Sequence, residues 1–218
     1  MICPCSATHV QRRVVLTGGP GAGKTAVLEL VRQHFCQHVE VLPEAAGILF
    51  GGGFPRHPDA PRLRAAQRAI FYTQRELESC AENGGAAVVL CDRGTIDGGA
   101  YWPGPGDLWD VVGSSRTEQL GRYHAVIHLR TPTAADGYTS QNNPLRIESA
   151  REARVLDERI LRCWDGHPRR VVVEAAPDFL AKAAAALAAL RSELPECCRG
   201  HVVPALGSID QNGNDGCK

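Results

Sequence analysis

The chain has no net charge: 24 lysines and arginines balance 24 aspartates and glutamates over 218 residues. That balance excludes the electrostatic footprint of a nucleic-acid partner or of an anionic membrane. No segment approaches the length of a bilayer span, and residues 181–190, rich in alanine, read as a packed helix. The N-terminus lacks the apolar core of an export signal, so a cytoplasmic protein without membrane insertion is expected. Lysine is scarce, with three in the whole chain, a skew toward arginine that reflects coding composition rather than chemistry. The eight histidines form no HExxH, and the nine cysteines form no CxxC pair. Cys36, Cys80, Cys91 and Cys163 fall in predicted helices or strands, where a thiol packs as a small hydrophobe. Cys3, Cys5, Cys197, Cys198 and Cys217 assemble into a zinc site only on paper, because their spacing fits none. Disulfides are not expected in a reducing compartment.

Against these absences stands one run, Gly18-Gly19-Pro20-Gly21-Ala22-Gly23-Lys24-Thr25, which meets GxxxxGK[ST] at every fixed position. Its context fits as well. Residues 13–17 read as a short buried strand, and Val27, Leu28, Val31 and Phe35 recur at helical spacing over about 24–36. Backbone amides of such a loop form an anion nest, reinforced by the positive end of the helix dipole. Lys24 is expected to reach the β- and γ-phosphates and the Thr25 hydroxyl to ligate Mg²⁺. The pattern is not GxGxxG followed by an acid, which points away from hydride transfer to a dinucleotide. No NKxD follows the fourth strand, which tilts the nucleotide to ATP ahead of GTP.

Hydrophobic and charged contents of 44% and 22% are those of an ordinary globule, with chain enough for one cored domain. Residues 1–12 are expected to be a loose leader, 13–194 the domain, and 195–218 a disordered tail. A strand over 38–42 leads to a glycine-, proline- and histidine-rich loop over 47–58. Asp59 and Pro61 then open a long helix with Leu63, Ala66, Ile70 and Leu77 along one stripe. Residues 86–91 form an apolar run suited to a central parallel strand. A loop over 94–106, a fourth strand over 125–129 and a polar segment over 131–146 follow. Ser149 and Glu152 make a capping box for a helix to about Trp164. Residues 171–173 are the fifth strand, and Pro177 starts the last helix, to about Glu193. This alternation predicts an α/β fold, a parallel sheet covered on both faces with ligands at the carboxyl strand ends.

The chemically suggestive residues fall at those ends. Asp92-Arg93-Gly94 follows the buried run, where a carboxylate can hold Mg²⁺ or accept a proton from an attacking hydroxyl. Arg93 is placed to clamp phosphate, and Asp97 to support Arg93 or cap a turn. Glu44, just past the second strand, faces the acceptor side of the loop or is a plain surface carboxylate. Gln67 and Gln74 border the apolar stripe of the long helix, as acceptor ligands or as its edge. Arg146 is the candidate to close over the γ-phosphate. Arg151 and Arg154 read instead as surface partners of Glu148, Glu158 or Asp157 at helical spacing. Ala176 and Pro177, between the last strand and helix, are the expected backbone edge for the base.

With these residues assembled, the chain resembles the small AAA-type ATPase domain family of the NadR and TRPL-translocation-defect proteins. The matching elements are the Gly18–Thr25 loop, residues 43–46, Gln74, Asp92-Arg93-Gly94 with Asp97, and residues 143–148. The resemblance covers roughly residues 12–194 and implies a three-layer P-loop fold of five parallel strands, in the kinase-like order 2-3-1-4-5, with a lid segment. In NadR the related domain is a nicotinamide riboside kinase, and the deoxynucleoside kinase group has acid–Arg–Ser where this chain has Asp92-Arg93-Gly94. The expected function is ATP- and Mg²⁺-dependent phosphoryl transfer to an unidentified small acceptor, or related ATP hydrolysis. The alternative is a nucleotide-dependent switch acting on a protein or lipid partner.

Overall fold

The computed structural model describes residues 3–5, 7–82, 84–132, 150–176 and 178–199. Strand β1 (Arg12–Thr17) is the middle of a five-stranded sheet in which every pairing is parallel. The order is β2-β3-β1-β4-β5, with β2 at Val39–Leu42, β3 at Val88–Asp92, β4 at Ala125–Leu129 and β5 at Arg170–Val173. β1 carries short apolar residues on both faces because both are covered. Val14 and Leu16 join one core, with α1 (Lys24–His34) and α8 (Phe179–Glu193). Val15 joins the other, with α3 (Ala60–Ala81) and α7 (Ala150–Cys163). The result is the three-layer α/β P-loop fold, with the strand order that the family resemblance implies.

Several stretches expected to be loops are helical. Helix α2 (Ala45–Gly51) forms within the glycine-rich region, because the apolar run Ala45–Phe50 precedes the breakers Gly52 and Gly53. A 3-10 turn (Thr95–Asp97) and α4 (Gly98–Tyr101) occupy the loop after β3. The connection to β4 contains α5 (Leu108–Val111) and α6 (Arg116–Gly121), capped by Asp107 and Ser115 side chains. All are too short for a 3.6-residue period to declare itself.

The chain ends also differ from expectation. Cys3 is buried, and its backbone N–H and C=O are both bonded by the Gln37 side-chain amide at 3.0 Å. Past Pro195, helix α9 (Glu196–Arg199) buries Cys198 in the α1/α8 core. Among the described residues, no helix is long and apolar enough to cross a membrane.

Candidate nucleotide and acceptor site

The phosphate loop leaves β1 at its carboxyl end and turns straight into α1. At Gly18, φ is 137°, and a Cβ would stand 2.1 Å from the Leu129 carbonyl oxygen of β4. Gly23, at φ 94°, caps α1, and a Cβ there would strike the Phe179 ring. The glycines therefore answer two different needs, close approach to a neighbouring strand and a left-handed turn. Lys24 Nζ donates to the carbonyls of Gly18 and Gly19 at 3.0 and 3.3 Å. Burial lowers its pKa to about 8, helped by the Arg93 charge and opposed by Asp92, Glu44 and Asp97.

The loop is fastened from the β4 side. Asp157 Oδ1, on α7, accepts from Gly19 N at 2.8 Å and from His128 Nε2 at 2.9 Å. Arg130 Nη1 lies 3.0 Å from Asp157 Oδ2. Burial alone would raise the Asp157 pKa, but His128, the Gly19 amide and Arg130 hold it below the usual carboxylate range. Thr131 Oγ1 donates to Pro20 O at 3.2 Å, and Lys182 Nζ donates to Ala22 O at 2.8 Å. Asp157 thus grips the loop rather than serving as a surface partner of Arg151 or Arg154. Its sequence signal was available: Ala153, Asp157, Ile160 and Trp164 repeat along one buried helix face.

On the β3 side, Arg93 is the only non-glycine residue with positive φ among those described, at 72°. That conformation costs about 1 kcal/mol or more for a side-chain-bearing residue. It aims the guanidinium between two carboxylates, with Nε donating to Glu44 Oε1 at 2.7 Å and Nη1 to Asp97 Oδ2 at 3.5 Å. Asp97 is itself fixed, accepting from Thr17 Oγ1 at 2.7 Å and from Trp164 Nε1 at 2.6 Å. Asp97 therefore supports Arg93. Burial would raise the Glu44 pKa, but Arg93 and Lys24 keep it lowered. Asp92 behaves oppositely. Burial raises its pKa to about 6, with Glu44 and Asp97 pushing the same way against Lys24 and Arg93. Asp92 Oδ1 is buried and has no hydrogen-bond partner among the described residues.

A pocket of about 670 Å³ runs from residues 20–25 of the loop past Glu44, Asp92 and Arg93 to α3. Its far wall combines Phe50, Ile70, Phe71 and Tyr101 with the amides of Gln67 and Gln74. Both glutamines are buried, so they belong to the pocket wall and not merely to the edge of an apolar stripe. Gln74 Nε2 donates to Glu78 Oε1 at 2.9 Å, and the Tyr123 hydroxyl donates to the same oxygen at 2.7 Å. Tyr123 accepts in turn from Thr95 N at 2.8 Å, and Arg122 pairs with Glu78. Arg56 and His57 also line the pocket, from a stretch whose glycines and prolines identified only a loop.

Lys24, Thr25, Glu44, Asp92 and Arg93 are thus brought to one pocket, with Pro20, Gly21, Ala22 and Gly23 along its loop wall. Ala176 follows β5 at the same sheet edge and does not line the pocket. Arg146 and Pro177 lie outside the described residues, as do Ser149 of the expected capping box, Cys217 and residues 133–146 of the polar segment after β4, and the expected lid is not among the described elements. The donor set fits magnesium: the partnerless Asp92 oxygen and the exposed Thr25 residue both border the pocket.

The chain has no match among curated proteins. A family profile described as an AAA domain matches residues 13–181, a span that holds the phosphate loop, Asp92-Arg93-Gly94, Asp157, β1 from its second residue and the other four strands whole. The chain belongs to this AAA-domain family of P-loop nucleotide-binding NTPases.

Proposed function

We propose that the protein is an ATP-dependent phosphotransferase whose acceptor is a small hydroxyl-bearing molecule held between the phosphate loop and α3. The observation that carries this reading is the 670 Å³ pocket, which continues from the phosphate loop to a wall of aromatic side chains and buried amides. Plain hydrolysis needs room for one water; this volume suits a small organic acceptor.

Thr25 Oγ1 would hold magnesium directly and Asp92 through the ion's bound water, and the ion supplies positive charge against the β- and γ-phosphates. Lys24 exchanges its bonds to Gly18 O and Gly19 O for phosphate oxygens. Asp92 Oδ1 takes the proton of the acceptor hydroxyl, since a carboxyl with pKa about 6 is a better base than one near 4. Glu44, tied to Arg93 and lowered in pKa, orients that guanidinium instead of accepting the proton. Arg93 then faces the transferred group as a fixed cation. Gln67 and Gln74 hydrogen-bond the body of the acceptor.

The test is incubation of the protein with γ-labelled ATP, magnesium and a panel of nucleosides and ribosides. Label is expected on one acceptor class. Label found only as free phosphate, whatever the acceptor, defeats the kinase reading and favours the nucleotide-dependent switch.

A further inference from the structure

Four potential ligand atoms converge at the end of the sheet opposite the phosphate loop. Cys3 precedes β1, Cys36 and His38 sit in the turn between α1 and β2, and Cys198 lies on α9. All four residues are buried, and their donor atoms lie within 4.8 Å of one another. Cys36 Sγ is 3.3 Å from Cys198 Sγ and 3.7 Å from His38 Nδ1. Cys198 Sγ is 3.0 Å from His38 Nδ1 and 4.0 Å from Cys3 Sγ.

Thiols that merely fill a core scatter through it, as Cys91 does in the other core of this protein. Here three sulfurs and one imidazole nitrogen from three separate chain segments face a common centre. A tetrahedral ion with Zn–S near 2.3 Å and Zn–N near 2.0 Å sets its ligand atoms roughly 3.5–3.8 Å apart. Four of the six separations, 3.0–4.0 Å, bracket that value and none exceeds 4.8 Å, so shifts of about 1 Å or less close the shell. Around it lies a polar layer: Cys197 Sγ is 3.4 Å from His9 Nε2, and the His9 ring stands edge-on to His38 at 4.9 Å.

We propose that Cys3, Cys36, His38 Nδ1 and Cys198 bind one zinc ion as a structural Cys₃His site. Binding by the neutral imidazole's Nδ1 releases three thiol protons to solvent, keeps the single imidazole proton on Nε2, and needs no oxidant. Four protein ligands complete the tetrahedron and leave no open position, which suits a structural ion rather than a catalytic one. The ion joins the first residues and α9 to the turn ahead of β2. No sequence spacing announces it, since only Cys36 and His38 are neighbours in the chain. Three thiolates favour zinc over magnesium or calcium.

The experiment is metal analysis of the full chain, purified under reducing conditions without chelator, followed by cobalt exchange. About one zinc per chain is expected, along with an intense thiolate-to-cobalt charge-transfer band of tetrahedral Cys₃His type. Cys36→Ser and Cys198→Ser should each lower zinc to below about a tenth of an equivalent, while Cys80→Ser, at an exposed position on α3, retains it. Because the wild-type chain gives both primary readouts, the proposal remains testable even if a serine variant fails to fold. Absence of stoichiometric zinc together with absence of the cobalt band overturns it. So does zinc that survives both Cys36→Ser and Cys198→Ser, a Cys36–Cys198 disulfide in the purified chain, or iron or copper in place of zinc.

Discussion

Asp92 pays for its position in protonation free energy. Folding raises its pKa to about 6 from the usual carboxylate value, chiefly through burial. The folded chain therefore binds a proton more readily than the unfolded chain between about pH 4 and 6, and stability falls as pH rises through that window. Above pH 6 the penalty is fully present. Asp92→Asn is expected to stabilise the protein by on the order of 1–2 kcal/mol at pH 8 and by little at pH 4. Denaturant melts at the two pH values check this, and equal stabilities at pH 8 would contradict it. The same substitution should lower phosphoryl transfer at least about 100-fold. In the wild type, kcat/KM should fall on an acid limb near pH 6 as the base of the free enzyme becomes protonated. Arg93 tells a related story: its left-handed backbone is strain retained to lodge a guanidinium between Glu44 and Asp97.

At the scale of elements, the turn after β3 shows how packing selects a residue. Gly94 has an extended backbone, and a Cβ would lie 3.0 Å from the Trp164 ring and 3.1 Å from Tyr123. Space, not backbone conformation, selects glycine. Gly94→Ser should cost about 1–3 kcal/mol by overpacking, read as a lower midpoint in urea. An unchanged midpoint would mean that α7 yields freely.

That turn also marks how far the sequence could be read. β1, α1, α3, β3 and the phosphate loop were legible because each carries a long periodic or apolar signal. Asp92 and Arg93 were legible because strand ends are where such sheets place ligands, whereas Glu44 stayed open between the acceptor side and the surface, its bond to Arg93 being remote in the chain. Asp97 and Gln74 stayed ambiguous, since their roles depend on Thr17, Trp164 and Glu78, partners remote in the chain. Asp157 was misread because local charge spacing suggested a surface pair, while tertiary packing turned it toward Gly19. The short helices α2, α4, α5 and α6 span too few turns to impose a period.

For the molecule as a whole, nucleotide binding adds to folding stability by mass action. At a Mg·ATP concentration of about 100 times Kd the gain is about 2.7 kcal/mol, or a Tm rise of roughly 5–10 °C for a domain of this size. Lys24→Ala should lose most of that rise in a thermal-shift titration. A full rise in the variant would remove Lys24 from the nucleotide site.

β1 also divides the molecule into two flanks. Glu44, Gln74, Asp92 and Arg93 come from the β2–β3 flank, whereas His128, Arg130 and Asp157 hold the loop from the β4 flank. A partition of kinetic phenotypes should follow. Gln74→Leu is expected to raise acceptor KM about tenfold and leave Kd for Mg·ATP within about twofold, whereas Asp157→Asn does the reverse. Steady-state kinetics alongside calorimetry would read this bilateral asymmetry, and both constants moving together in both variants would show that the central strand insulates nothing.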